Sequence, residues 1–336
     1  MAINATKWLT VCLHYNEPWD EFLTKAVRPY VEVVLQTGIA ESFHFERSWE
    51  RGPHIRLRFK STEFLLEKML LPNLLEHFQQ YFDFRPSFLI EPKYFSKQTS
   101  GPNWHPNNSI QILDNQSDTA SNFFSTHERF FENQYHLSAR LALFFLKQHE
   151  NAWTVDERLG TALKLHLGML YAFDLGLEHA QNFSAWAYKN WEAKAGETAG
   201  AKLDKELMRI NFHSAFERQR MDLLSYLTAT WELFRNYRKV ESPAFVRWIH
   251  VNTKANLELQ TGLHTNQLTA CKTSLEAPTP IWTFYADFIE KTNNRLGILH
   301  TYDVGYLYYT MSQCLKLMAQ NAIGYAARDY SKSTNA

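Results

Sequence analysis

The sequence predicts an α+β protein, in which an N-terminal antiparallel sheet with helices packs on a larger, mostly helical lobe. In the first hundred residues segments that alternate at period two are interspersed with segments at helical spacing, whereas beyond Ser121 helical spacing dominates. A run of strands followed by a run of helices is typical of α+β folds. The predicted boundaries are a mixed α/β portion at 1–95, a loop at 96–121 and a helical portion at 122–336.

The composition is that of a globular protein without a strong charge bias. The 336 residues are 45% hydrophobic and 21% charged, and 35 Lys and Arg balance 35 Asp and Glu. Because zero net charge gives no general attraction to phosphates, nucleic acid is not an expected partner. Aromatic residues reach 15%, which suits a bulky core or a groove for an extended ligand.

The sequence carries no pattern for a membrane, a metal or a cofactor. Its three cysteines stand far apart without a CxxC pair, and residues 1–7 lack the apolar stretch of a signal peptide. No apolar run approaches the ~18–20 residues that span a bilayer. Metal-ligand spacings and nucleotide-binding loops are absent from the sequence. We therefore expect a soluble, cytoplasmic protein that needs neither metal nor cofactor.

Two alternating segments predict a β-hairpin with an arginine-rich face. Residues 42–49 and 54–60 both alternate at period two, and a Gly-Pro turn at 50–53 joins them. In the second strand His54, Arg56 and Arg58 fall on the face opposite the apolar residues.

This row of cations has two interpretations. Two arginines and a histidine side by side repel each other unless an anion or acidic side chains lie between them. Arg47, on the preceding strand, is predicted to be their cross-strand neighbour. The sequence leaves open a solvated sheet face with carboxylate partners and a site for an anionic group.

A second polar cluster occurs near the C-terminus. Asn294 and Arg295 interrupt an apolar helical stretch that ends at Gly297, and His300 and Asp303 follow. The simplest explanation is a helix end with a glycine cap and an arginine in its last turn.

The hairpin resembles a known family. FHFERS at residues 43–48 and GPHIRLRF at 52–59 resemble the "FFIRY…PHLRLRF" signature of the elimination domain of lantibiotic dehydratases, which also occurs as stand-alone thiopeptide-type bacteriocin biosynthesis proteins. Asn294 and Arg295 are similar in position to the family's "NRL" motif. The resemblance implies one elimination-domain-like unit over nearly the whole chain.

The resemblance implies tailoring of a ribosomally synthesised peptide. Many members eliminate glutamate from a glutamylated Ser or Thr and leave a dehydroamino acid. The implied partners are the precursor peptide, with its leader and core, and a separate glutamylating dehydratase subunit. The sequence leaves open whether the protein forms an oligomer. The alternatives are a pyridine-synthase-type cyclisation of a dehydrated thiopeptide precursor and a relative that binds the leader peptide without catalysis.

The resemblance also implies which residues act. Arg56 and Arg58 match the family's catalytic arginine pair, and bidentate carboxylate binding suits their role. Glu290 stands where the family has its catalytic histidine, and His300 is a second candidate from the helix end. Tyr94 stands in the place of a third functional arginine. The residues predicted to bind the substrate are Arg47, His54, Tyr94, Asn294 and Arg295.

Overall fold

The computed structural model of the chain describes residues 6–88, 104–113, 128–150, 152–198, 205–236, 242–269 and 273–333. Four strands form in this part of the chain: β1 at Thr6–His14, β2 at Ser42–Ser48, β3 at His54–Thr62 and β4 at Ser109–Leu113. They make one antiparallel sheet in the order β2-β3-β1-β4. Helices make up most of the remainder, so the predicted α+β class is confirmed.

The β2–β3 hairpin defines the apolar face of the sheet. Its register aligns Phe43 with Phe59 and Phe45 with Leu57, and all four side chains are fully buried. Because side chains alternate along a strand, these residues share one face. The turn between the strands contains Gly52 at a φ of +104°, a conformation that favours glycine.

Two helical segments belong to the same part of the fold as the sheet. They comprise α1 at Trp19–Phe22 and α2 at Arg28–Gln36, then α3 at Glu63–Leu65 and α4 at Leu71–Phe84. In each segment a π-helical turn, Leu23–Val27 or Leu66–Leu70, precedes a proline. Because proline lacks an N–H and collides with the carbonyl four residues back, the wider turn lets the chain stay helical. The ring centroids of Tyr30 and Phe59 lie 6.0 Å apart, so α2 contacts the apolar face.

Strand β4 lies within the stretch that the sequence assigned to a loop at 96–121. It pairs antiparallel with β1 along all five of its residues. The local pattern favoured a loop because the alternating segment is short and Gly, Pro and Asn dipeptides precede it. Pairing with β1 decides the conformation, and it brings Gln111 onto the polar face of the sheet.

A first compact unit comprises Met1–Thr154 together with Asn294–Gly297. After the sheet it contains a 3₁₀ turn at Glu128–Phe130 and helix α5 at Glu132–His149. Helix α5 lies along edge strand β2, where the Nδ1 atom of His136 is 3.2 Å from both the backbone nitrogen and the carbonyl oxygen of Phe43.

A second compact unit comprises Val155–Asn293 and Ile298–Ala336. Its described helices are α6 at Val155–Ala172, α7 at Leu177–Thr198, α8 at Lys205–Arg235, α9 at Pro243–His264, α10 at Ile281–Leu296 and α11 at Thr301–Ser333. The last three residues of α10 belong to the first unit. Helix α6 packs against α8 and α9, and α11 packs against α7 and α8. None of the described helices has the length and apolar character required to cross a membrane.

Gly305 allows α11 to approach α7 closely. A Cβ atom at this position would lie 2.2 Å from the ring of Trp191. We expect Gly305→Ala to lower the free energy of unfolding by about 1–3 kcal/mol, because overpacking forces side chains out of their rotamers. Gly160→Ala in α6 is the matched control, since a Cβ there meets nothing within 4 Å. It should raise stability by roughly 0.5–1 kcal/mol.

Urea unfolding of both glycine variants beside the parent measures this difference. Midpoints that rise equally in the two variants would show that Trp191 does not constrain Gly305.

Candidate functional site

The second face of the sheet carries the polar residues of β3. His54, Arg56 and Arg58 lie on this face, opposite the apolar residues, as the period-two pattern predicts. The register places Cys12 of β1 beside Arg56, and Gln111 of β4 beside Cys12. A row of side chains therefore crosses three strands on the polar face.

A cavity of about 100 Å³ opens on this polar face. It has room for several water molecules or for one side chain of a bound peptide. The residues that line it are Cys12, His14, Glu50, Arg51, His54, Arg56, His105, Gln111 and Leu113. Of the residues that the sequence predicted for a site, Arg56 and His54 line the cavity.

Three histidine rings meet at this cavity. The ring centroid of His14 lies 4.8 Å from that of His54 and 4.8 Å from that of His105. His14 and His54 are each only 2% exposed. Among the described residues, neither Nδ1 of His14 nor Nε2 of His54 has a hydrogen-bond partner. An unpaired buried polar atom costs about 1–3 kcal/mol, so these two ring nitrogens retain an unused capacity for hydrogen bonding.

Burial keeps two of these imidazoles neutral at neutral pH. Loss of hydration, followed by repulsion from His54 and His105, lowers the pKa of His14 to about 3. Burial is also the main cause that lowers the pKa of His54 to about 4. The fixed charges at the cavity are therefore the guanidinium groups of Arg51 and Arg56 and the carboxylate of Glu50. Such a site offers cations for an anionic group and uncharged nitrogen atoms for proton transfer.

Arg56 and Arg58 share a face but differ in their surroundings. Arg56 lines the cavity, and its Nη2 atom lies 3.0 Å from a carboxylate oxygen of Glu50. Arg58 does not line the cavity: its Nε donates to the hydroxyl of Thr10 at 3.1 Å, and its guanidinium lies 5.2 Å from the ring centroid of Trp8. The sequence predicts the same role for both arginines, but of the two only Arg56 lines the cavity.

Arg47 lies on the opposite face of the sheet, so the expected cross-strand contact with Arg56 and Arg58 is wrong. In the hairpin register Arg47 pairs with Ile55, which belongs to the apolar face. Its side chain is 3% exposed and forms an ion pair with Asp20 at 2.8 Å. Side chains alternate between the two faces along a strand, and Arg47 is an even number of residues from Phe43 and Phe45, so it lies on their face.

Asn294 and Arg295 bond to edge strand β2. The Asn294 side chain accepts from the backbone N–H of Arg47 at 2.8 Å and donates to its carbonyl at 2.9 Å. Arg295 is fully buried, and its guanidinium donates to the carbonyl of Phe45 at 2.9 Å and to the hydroxyl of Ser138 at 2.5 Å. These observed partners of the two side chains are protein atoms, so both residues support the first strand of the hairpin.

The comparison with protein families identifies the family of the chain. Residues 8–315 match the family described as "Lantibiotic biosynthesis dehydratase C-term". The chain belongs to this family. Membership assigns it to the tailoring of ribosomally synthesised peptides and confirms the resemblance drawn from the hairpin. The comparison with curated proteins finds no match.

Solved structures that share the fold include the following three. The pyridine synthase TbtD from thiomuracin biosynthesis has a TM-score of 0.72 at 17% identity, over 92% of this chain and 97% of its own. TsrL has a TM-score of 0.60 at 18% identity, over 94% and 95%. The tRNA-dependent lantibiotic dehydratase MibB from Microbispora sp. 107891 has a TM-score of 0.58 at 13% identity, over 96% of this chain but 29% of its own.

Two of the remaining predicted residues, Glu290 and His300, belong to the second unit. Glu290 is on the surface of the second unit, where its side chain is 61% exposed and pairs with Lys194 at 3.0 Å. The burial that a role as proton acceptor requires is therefore not observed. His300 is exposed, and its Nδ1 accepts from the backbone N–H of Tyr302 at 3.3 Å. Tyr94 falls outside the described residues.

The sequence analysis missed His14, His105, Glu50 and Gln111. The alternation of β1 could have identified His14, because His14 is separated from Cys12 and Thr10 by steps of two residues and so lies on the same polar face. No local pattern marks His105, which precedes β4 in an irregular stretch. Across the described residues no group of three or more His, Cys, Asp or Glu is arranged to hold a metal ion, and this includes the cavity histidines.

Proposed function

We propose that the protein eliminates an activated side chain from a precursor peptide, namely glutamate from a glutamylated Ser or Thr, and leaves a dehydroamino acid. The observation that carries the proposal is the position of Arg56, whose guanidinium lines a small polar cavity beside neutral, buried imidazoles. The family of the chain supports peptide tailoring in general. The choice of elimination rests on the chemistry of the cavity.

β-Elimination makes three demands on a site. A base removes the α-proton, a cation stabilises the negative charge that develops on the peptide carbonyl, and another group binds the departing carboxylate. Arg56 and Arg51 supply two guanidinium groups at the cavity, and Glu50 supplies one carboxylate. The excess of fixed positive charge suits a glutamyl carboxylate, which arginine binds through two parallel hydrogen bonds.

The proposed elimination requires a second protein that makes the glutamylated substrate. The chain corresponds to 29% of MibB, whose name describes a tRNA-dependent dehydratase. We infer that a separate glutamylating subunit supplies the ester and that this protein receives the precursor peptide with its leader.

Cyclisation is the second candidate, and one observation favours it. TbtD, whose name describes a pyridine synthase, matches along 97% of its own length with a TM-score of 0.72, and MibB matches less well. A cyclising enzyme would take an already dehydrated peptide, and Arg56 would then stabilise a developing oxyanion. A relative that only binds the leader peptide would carry out neither reaction.

One assay separates the three functions. The protein is incubated with the co-encoded precursor in two forms, glutamylated on Ser or Thr and already dehydrated, and the products are read by mass spectrometry. Loss of glutamic acid from the first form is the expected result. A ring-closed product from the second form alone would replace elimination by cyclisation. Tight binding of the leader with no mass change in either form would overturn both.

A further inference from the structure

We propose that the Nε2 atom of His54 is the proton acceptor for the peptide α-proton in this cavity. The inference rests on the proposed elimination and names a residue for its first step. The position of His54 on β3 places its ring next to Arg56 along the cavity wall. The proton acceptor and the cation for the developing charge would then come from one strand.

The tautomer of His54 is fixed by the hairpin turn. Its Nδ1 atom lies 2.9 Å from the carbonyl oxygen of Gly52. Because a carbonyl oxygen only accepts hydrogen bonds, Nδ1 carries the proton and Nε2 keeps its lone pair. Nε2 has no hydrogen-bond partner among the described residues. The side chain is thus prepared to accept a proton at one defined atom.

The turn that holds this carbonyl is itself constrained. Gly52 has a φ of +104°, and a Cβ at this position would lie 3.4 Å from the indole ring of Trp104. The backbone N–H of His105 also donates to the carbonyl of Arg51 at 3.0 Å. Contacts from the segment before β4 therefore fix the turn, and with it the orientation of the His54 ring.

The groups that face His54 set its protonation. These are His14 and His105 at the cavity, Arg56 on its own strand and Glu50 in the turn. Burial dominates and keeps the imidazole neutral. A glutamyl carboxylate bound at Arg56 would bring negative charge close to the ring and raise its pKa, because an opposite charge favours the imidazolium. Substrate binding would then strengthen the base that acts on it.

The step balances without a further reactant. The Cα–H bond breaks and its proton moves to Nε2 of His54, while its electron pair forms the Cα–Cβ double bond. The Cβ–O bond breaks, and its electron pair leaves on the carboxylate of glutamate. The imidazolium then returns its proton to the released carboxylate or to water.

The test compares His54→Gln with a matched control, His77→Gln, on the glutamylated peptide. His77 bonds the carbonyl of Ala26 through a ring nitrogen at 3.2 Å and does not line the cavity. General base catalysis contributes about 10²–10⁴-fold, so His54→Gln should lose that factor in kcat with little change in KM, whereas His77→Gln keeps the parent rate. Free imidazole should restore part of the activity of His54→Ala, which a structural role would not allow.

Two further readouts keep the inference separate from the proposed function. If Arg56→Ala abolishes processing but His54→Gln works at the parent rate, elimination stands and the base is another group. If both variants process at the parent rate, the proposed elimination in this cavity is wrong. Nitrogen NMR of the parent protein at neutral pH, which needs no variant to fold, should report the Nδ1–H tautomer for His54; the Nε2–H tautomer would overturn the inference.

Discussion

Replacement of Arg56 by alanine is expected to lower the rate of peptide processing about 10²–10³-fold, since a cation placed at developing negative charge contributes that much. The loss of stability should be small. The ion pair of Arg56 is with Glu50, whose side chain is 62% exposed, and such pairs contribute about 0–1 kcal/mol. Mass spectrometry of the glutamylated precursor over time gives the rate, and urea unfolding gives the stability.

Two variants control for charge and position. Arg56→Lys keeps the charge but not the planar fork, so it should recover little of the lost rate. Lys60→Ala removes a cation from the same strand and the same face. Lys60 forms an ion pair with Glu132 at 2.7 Å, and neither residue lines the cavity. Lys60→Ala should process at close to the parent rate. Equal losses in Lys60→Ala and Arg56→Ala would mean that the sheet face acts only through its overall charge.

Arg58→Ala is expected to affect stability rather than the chemical step. The hydrogen bond to Thr10 and the contact with the ring of Trp8 occupy its guanidinium, so its removal leaves a gap in the sheet face. A fully active but less stable Arg58→Ala protein would agree with the division of the pair at the cavity.

Replacement of Arg295 by alanine is expected to lower the free energy of unfolding by about 3–5 kcal/mol. The side chain is fully buried, and its guanidinium lies 4.7 Å from the ring centroid of Tyr135. The variant leaves the carbonyl of Phe45 and the hydroxyl of Ser138 without their donor, and it opens a cavity the size of the lost side chain. Both effects add, because a buried acceptor without a donor and an unfilled volume each cost free energy.

Urea unfolding followed by tryptophan fluorescence measures this loss. Arg28→Ala is the matched control, because the ion pair of Arg28 is an i,i+4 pair with Glu32 on α2, worth about 0.2–0.5 kcal/mol. Arg295→Met, which keeps much of the volume but no donor, should fall between the two. An unchanged midpoint for Arg295→Ala, combined with weaker substrate binding, would return Arg295 to the substrate-binding role that the sequence predicts.

Local periodicity predicted much of the fold. The hairpin of β2 and β3 and the long C-terminal helices follow from apolar residues that repeat at period two or at helical spacing, because each element needs one buried face. Strand β4 was missed, since five residues in a polar stretch carry too weak a pattern. Its pairing with β1 joins residues that are far apart in the sequence, so no local stretch of sequence predicts it.

Local periodicity also predicted part of the candidate site. Arg56 and His54 lie on one strand, so their common face follows from the alternation of β3. His14 and His105 reach the same cavity from β1 and from the segment before β4, and only the sheet order brings them there.

The sequence by itself determined the family, the α+β class and the face on which Arg56 and Arg58 lie. The tertiary structure decided which groups surround each arginine. Arg56 lines a cavity, whereas Arg58 packs with Trp8 and Arg295 bonds to edge strand β2. An arginine always carries its charge, so its role depends on which groups surround it and how much water they exclude. Those surroundings come from residues distant in the chain, and they exist only once the sheet and its helices have assembled.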